Sequence, residues 1–255
     1  MIADIHSHVI PGVDDGAKDI KEAAEILKMM RLDGITSVVA TPHYYPHICP
    51  EPAAHIEEIN SAFKNMLSEL QLSVPNIVLG HEVHYFRDIS RSEQIRDLRM
   101  GNSDYILLEL PFNGWGYEME EEIISLALNT GLTPIIAHIE RYEGAKGFPA
   151  VLETIKRGYA VAQMSCDALL FSRRSQKNAV KLIKSGVISY IATDAHSVDK
   201  RPPRMSSALK TIETKLGTDT VERLIRNANE LFQKEKIDGD DFRKMMQNEP
   251  EKTEE

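Results

Sequence analysis

Five of the nine histidines in this 255-residue chain, and three carboxylates, stand at or just beyond the ends of short apolar runs. His6 and His8 close the first run and His43 follows the second. Glu82 follows the third, Glu109 ends the fourth and His138 the fifth. Asp194 and His196 follow the last. Imidazole nitrogen and carboxylate oxygen are ligands for zinc, manganese or iron, and a carboxylate can bridge two ions. The alternate spacing of His6-Ser7-His8 places both rings on one face of an extended strand, and Asp194-Ala195-His196 repeats it. Each feature has an ordinary alternative. A lone His-x-His pair arises by chance, and Glu109 within Leu107-Leu108-Glu109-Leu110-Pro111 would suit a buried, paired carboxylate. An acid in so apolar a run is nevertheless costly without a partner. Taken together, the set reads as a metal centre.

The elements that must position these groups alternate regularly. Seven apolar or β-branched runs read as strands: Ile2–His6, Ile35–Ala40, Asn76–Gly80, Tyr105–Leu110, Thr133–Ala137, Tyr159–Met164 and Val187–Thr193. Between most of them lie helical patterns at Asp19–Asp33, Glu51–Leu72, Glu118–Thr130, Ala150–Gly158 and Ser175–Ser185. Arg204–Leu216 and Asp219–Phe232 read as two closing helices. Gly34, Gly131, Gly158 and Gly186 stand where a left-handed residue ends a helix. Such alternation predicts a parallel sheet with helical crossovers, and both an open doubly wound sheet and a closed barrel satisfy it. Active sites of parallel α/β folds are built at the C-terminal edge of the strands, where the histidines and acids fall.

Composition narrows the function. The chain has 30 Lys+Arg against 39 Asp+Glu, a net charge of −9, with 42% hydrophobic residues. It is expected to be a globular single domain that binds no nucleic acid, since that requires a basic surface. No run approaches a membrane span and the N-terminus does not resemble a secretion signal, so a cytoplasmic location is expected. Two cysteines, Cys49 and Cys166, suit a reducing compartment. Cysteine-based phosphatases need Cys, five residues, then Arg. Cys166 has Ser172 at that spacing and Cys49 has His55, so both read as packing residues. No Walker-type phosphate loop is present.

Longer strings carry a family resemblance. Asp4-Ile5-His6-Ser7-His8 followed by Val13-Asp14-Asp15-Gly16 resembles the opening of the PHP (polymerase and histidinol phosphatase) family. Within it, the chain is most similar to the bacterial tyrosine-protein phosphatases of capsule and exopolysaccharide gene clusters. Ala40-Thr41-Pro42-His43, Gly80-His81-Glu82, Leu108-Glu109, Ile136-Ala137-His138-Ile139-Glu140-Arg141-Tyr142, Thr193-Asp194-Ala195-His196 and Arg201-Pro202-Pro203 agree with it, out to roughly Phe232. The resemblance implies a distorted seven-stranded (β/α) barrel over residues 1–232, with a charged extension at 233–255 whose last residues fray.

It also implies a trinuclear metal site with ligands His6, His8, Asp15, His43, Glu82, Glu109, His138, Asp194 and His196. Manganese comes first among the candidate divalent ions, with iron or zinc as alternatives. Arg141 and Arg201 match arginines near the substrate phosphate, and Arg204 is a weaker candidate. The implied activity is hydrolysis of phosphotyrosine by a metal-activated hydroxide. The implied partner is an autophosphorylated bacterial tyrosine kinase controlling capsule synthesis. A small-molecule phosphoesterase, such as a histidinol-phosphate phosphatase, would use the same site. Tyr44-Tyr45-Pro46-His47 and Phe112-Asn113-Gly114-Trp115-Gly116 follow ligand-bearing runs. Their aromatics would suit a phenyl ring or ordinary loop packing equally. His47, His81 and His84 read as solvated loop histidines.

Overall fold

A computed structural model describes residues 1–247 except 51, 71–73 and 113, with side chains described through Phe232. The expected frayed end, residues 248–255, lies outside the described residues, as do the side chains of 233–247. Among the described residues, nine parallel strands and seven α-helices follow one another, helices lying between most strands. The strands are β1 (Ala3–Ser7), β2 (Ser37–Ala40), β3 (His43–Tyr44), β4 (Asn76–Leu79), β5 (Glu82–His84), β6 (Tyr105–Glu109), β7 (Thr133–Ile136), β8 (Val161–Ser165) and β9 (Ile188–Ala192). The helices are α1 (Ile20–Leu32), α2 (Pro52–Glu69), α3 (Tyr117–Thr130), α4 (Phe148–Lys156), α5 (Arg173–Lys184), α6 (Met205–Leu216) and α7 (Thr218–Gln247). Each expected strand and helix is present, and α7 runs on past Phe232 to Gln247.

Two strands go beyond the seven expected runs: β3 and β5, short strands that follow the second and third runs. Thr41-Pro42 separates β2 from β3, and Gly80-His81 separates β4 from β5. Proline cannot donate to a ladder, so the chain shifts partner there. The result is a three-stranded sheet, β1-β2-β4, and a six-stranded sheet, β3-β5-β6-β7-β8-β9. The first and last strands then meet. Asp194 N–H donates to His6 O at 2.9 Å, His8 N–H donates to Ala195 O at 2.8 Å, and Ser7 bridges Ala195 in parallel.

Strand alternation splits the core in two. Val38, Ala40, Ile106, Leu108 and Ile136 face the helices in the larger cluster. Ala3, Ile5, Val39, Leu107, Ile135, Tyr190 and Ala192 face the other way, packed with Ala228, Leu231 and Phe232 of α7. Glu109 lies two residues beyond Leu107, and Asp194 two beyond Ala192. Both therefore continue the second face, and the apolar layer ends in carboxylates. Local signals set the helix ends. The Asp19 side chain accepts from Glu22 N–H at 2.8 Å to cap α1, and Gly131 at φ 69° ends α3 in the left-handed conformation.

Candidate metal centre

The strand ends deliver their polar side chains to one point. His6 Nε2 lies 3.2 Å from His8 Nε2, 3.2 Å from Glu82 Oε2 and 3.4 Å from Asp194 Oδ1. His8 Nε2 lies 3.3 Å from the same Glu82 oxygen. His43 reaches Glu82 Oε2 through Nδ1 at 3.1 Å and Asp15 Oδ1 through Nε2 at 3.4 Å. His196 Nε2 lies 3.4 Å from Asp15 Oδ1. His138 Nε2 is 2.9 Å from Glu82 Oε1 and 3.4 Å from Glu109 Oε1. All nine candidate ligands thus converge. Within them, three groups hold their donor atoms within 4.8 Å of one another: His8/Asp15/His43/His196, His6/His8/Asp194 and His43/Glu82/Glu109. All except His43 and Asp15 are buried, and the Asp15 side chain is 67% exposed.

These residues fit a set of divalent ions. Buried His43 Nδ1, His138 Nδ1 and His196 Nε2 have no hydrogen-bond partner. Two of these, His43 Nδ1 at 3.1 Å from Glu82 Oε2 and His196 Nε2 at 3.4 Å from Asp15 Oδ1, face carboxylate oxygens without hydrogen-bond geometry. They are arranged as groups that share a cation. The all-nitrogen-and-oxygen donor set suits manganese, iron or zinc and lacks the thiolates that select softer ions.

The charges are interlocked. Burial alone would push His8 down, but its bonds to Asp14 and Glu82 outweigh this and push it up to about 10. His138 is pushed up to about 9 against burial by Glu109 and Glu82. His196 is driven down to about 3 by burial and the neighbouring His8. Burial opposes ionisation of Glu109, yet His138 and His84 hold it at about 2. Asp194 also ionises against burial, held well below the usual range by His6, Arg141 and Arg201. Protons on His8 and His138 balance part of the carboxylate charge.

Local backbone is committed to the site. His138 (φ 31°) and Asp194 (φ 54°) are non-glycine residues in the left-handed region. Such conformations cost on the order of 1–3 kcal/mol each and persist where surrounding contacts enforce them. A Cβ on Gly16 would lie 2.2 Å from His8 O and 2.5 Å from His8 Cβ, so only glycine lets the Asp14–Asp15 loop approach.

Sequence reasoning missed several positioning residues. Asp14, adjacent to the expected Asp15, bonds His8 Nδ1 at 2.7 Å and accepts from His43 N–H at 3.2 Å. Gln163 Oε1 accepts from His138 N–H at 2.7 Å and lies 3.2 Å from His6 Nδ1. Asp4 accepts from Thr193 N–H at 3.0 Å. The Val13-Asp14-Asp15-Gly16 string pointed to this loop through the family resemblance, but adjacency cannot say which acid turns inward. Two expectations are corrected. His81 is buried, 2% exposed, because the break at Gly80 turns it inward. His84 bonds Glu109 Oε2 at 3.1 Å through Nδ1 instead of standing in solvent.

Arg141 and Arg201 both pair with Asp194 Oδ2 at the rim, each about a third exposed. Arg204 lies elsewhere, paired with Asp167 at 3.2 Å. Cys166 is buried against Met205 at 3.9 Å, and burial pushes its thiol well up, as a packing residue requires.

The fold and site define an α/β protein with a histidine–carboxylate centre at its strand ends. The family described as capsular polysaccharide synthesis, CpsB/CapC, matches residues 2–233, and the chain belongs to it. The tyrosine-protein phosphatase YwqE of Bacillus subtilis is 29% identical over 239 residues, covering 92% of each chain. The tyrosine-protein phosphatase CpsB of Streptococcus pneumoniae is 27% identical over 235 residues, covering 87% of this chain and 93% of the relative. A crystal structure from work on these two proteins, described there as metal-dependent tyrosine phosphatases, superposes with a TM-score of 0.78 at 27% identity. It covers 91% of this chain and 94% of the other. No helix among the described residues is long and apolar enough to cross a membrane.

Proposed function

We propose that this chain is a metal-dependent protein-tyrosine phosphatase. The observation that carries the reading is the convergence of nine ligand-type side chains with Arg141 and Arg201 at their rim. The names of its relatives support the same activity. The nine side chains hold three divalent ions, manganese first, within a distorted seven-stranded barrel formed by residues 1–232. Residues 233–255 are an extension of that domain. Bound cations supply Lewis acidity and a deprotonated water at neutral pH.

The chain's own groups do the rest. Arg141 and Arg201 present planar guanidiniums that suit bidentate contact with phosphate oxygens and hold the group in line for attack. Asp14 and Gln163 hold His8 and His6 in place, so ring orientation is set before substrate arrives. A tyrosine phenol, pKa about 10, leaves with little acid assistance. The substrate is the phosphotyrosine of an autophosphorylated bacterial kinase controlling capsule synthesis, met in the cytoplasm.

The test is hydrolysis of a phosphotyrosine peptide beside histidinol phosphate, after chelation and with manganese restored. Manganese-dependent turnover favouring the peptide is the expected result. Preference for histidinol phosphate would move the protein to small-molecule metabolism, and turnover untouched by chelation would remove the metal mechanism.

A further inference from the structure

The rim of the metal centre carries two unlike sets of groups. Along β3, β5, β6 and the turn after β7 it carries rings. Tyr45 stacks on His43 with centroids 4.8 Å apart and planes at 26°, and lies 5.6 Å from His84. Phe112 stacks on His138 at 5.8 Å and 24°, and on Tyr142 at 5.6 Å and 25°. The two guanidiniums, Arg141 from the turn after β7 and Arg201 from beyond β9, meet on Asp194. An aryl phosphate has the same division: an anionic head joined to a flat apolar ring.

Ordinary loop packing explains some of these aromatics and fails for others. Trp115 is 8% exposed, seated edge-on against Tyr142 at 5.3 Å and 82°. It does the packing work of its loop. Phe112, three residues earlier, leaves 53% of its surface in solvent although it lies against two buried rings. Tyr45 is half-buried, lying against His43 and His84 beside the cluster.

We infer that Tyr45 and Phe112 are specificity-determining residues that receive the aryl ring of the substrate, so that the site selects aryl over alkyl phosphates. The inference rests on the phosphatase reading and adds to it which residues read the organic group. Each aromatic pair is worth about two- to tenfold in an equilibrium constant.

The test uses the metal-loaded full chain and two non-hydrolysable probes, phenylphosphonate and methylphosphonate, titrated by calorimetry with metal content measured in parallel. The wild type is expected to prefer phenylphosphonate about tenfold or more. Phe112→Ala should cut that preference about two- to tenfold while weakening methylphosphonate less than about twofold. Tyr45→Leu, which keeps bulk over His43, should act in the same direction, and Tyr45→Phe should restore the wild-type ratio. An unchanged phenyl-to-methyl ratio in both Phe112→Ala and Tyr45→Leu, or equal weakening of both probes, overturns the inference while leaving a phosphate site intact. Failure of both probes to bind the metal-loaded wild type removes the phosphatase reading, and this inference with it.

Discussion

Two groups of buried histidines in this molecule behave in opposite ways. In the pair His55–His81, ring centroids 5.4 Å apart, burial drives His81 down to about 3, and His55 opposes its protonation further. His55 is lowered as well. Both nitrogens of His81 and Nε2 of His55 lack hydrogen bonds. At the metal centre burial is again the largest influence, yet His8 and His138 are carried upward by Asp14, Glu82 and Glu109. Their neighbours His43 and His196 stay low, held there by burial and by the nearby His8. The lesson is that burial by itself makes a histidine inert. At His8 and His138, carboxylates at 2.7–3.4 Å reverse that direction.

The strongest way to break this comparison is to remove one member of each group. His6→Ala or Asp194→Ala should reduce phosphatase turnover to background and strip bound metal, while His55→Gln keeps both near wild type. Elemental analysis and turnover on a phosphotyrosine peptide decide it, and an active His6→Ala variant would end the metal reading. Next, Arg201→Ala should lower kcat/KM about 10- to 150-fold, the worth of a charged hydrogen bond, with metal content retained. Loss of metal instead would make Arg201 a brace for Asp194. Asp14→Asn should weaken metal affinity about 10- to 100-fold, because it frees the His8 ring. Competition against a chelator measures this, and unchanged affinity would show that burial alone orients His8.

The smallest effect is on stability against pH. The folded value of His81 lies below the ~6.5 of an unfolded histidine, so its contribution is intact above that pH and is lost as pH falls toward 3. His8, pushed up to about 10 in the metal-free protein, has the opposite sign. Its contribution is complete below ~6.5 and is lost as pH rises toward 10. Denaturation of metal-free His81→Leu should therefore show a flatter acid limb than wild type between pH ~6.5 and 3, with the alkaline limb unmoved. A matching acid limb would mean the two histidine groups do not differ as described.

Much of this was legible in the sequence because strong local signals agree. The runs that became β1, β6, β7 and β9 alternate or are wholly apolar, so an acid or histidine at their ends stands out. Helices α1, α3 and α5 carry caps at Asp19, Gly131 and Ser172. β3 and β5 were not legible, since two and three residues set no period. The orientation of His81 depends on the strand break at Gly80, which spacing does not report. Asp14 and Asp15 are neighbours, and only the approach of the loop past Gly16 turns Asp14 toward His8. Gln163 is neutral and sits inside a strand, so nothing in its type announced a role. The aromatic rim was visible as residues, but its placement beside the arginines is a product of strand order.

The meeting of β1 with the end of β9 also sets when this protein becomes competent. Asp4 and Thr193, whose hydrogen bond spans 189 positions, join residues from opposite ends of the chain. The same seam brings Asp194 to His6 and His8. Contacts so distant in sequence form late in folding, after intervening loops have been closed. A nascent chain that has not yet extended past His196 carries His6 and His8 without the Asp194 carboxylate that faces both. The candidate metal set therefore gains its last two members, Asp194 and His196, only when the two ends of the chain meet.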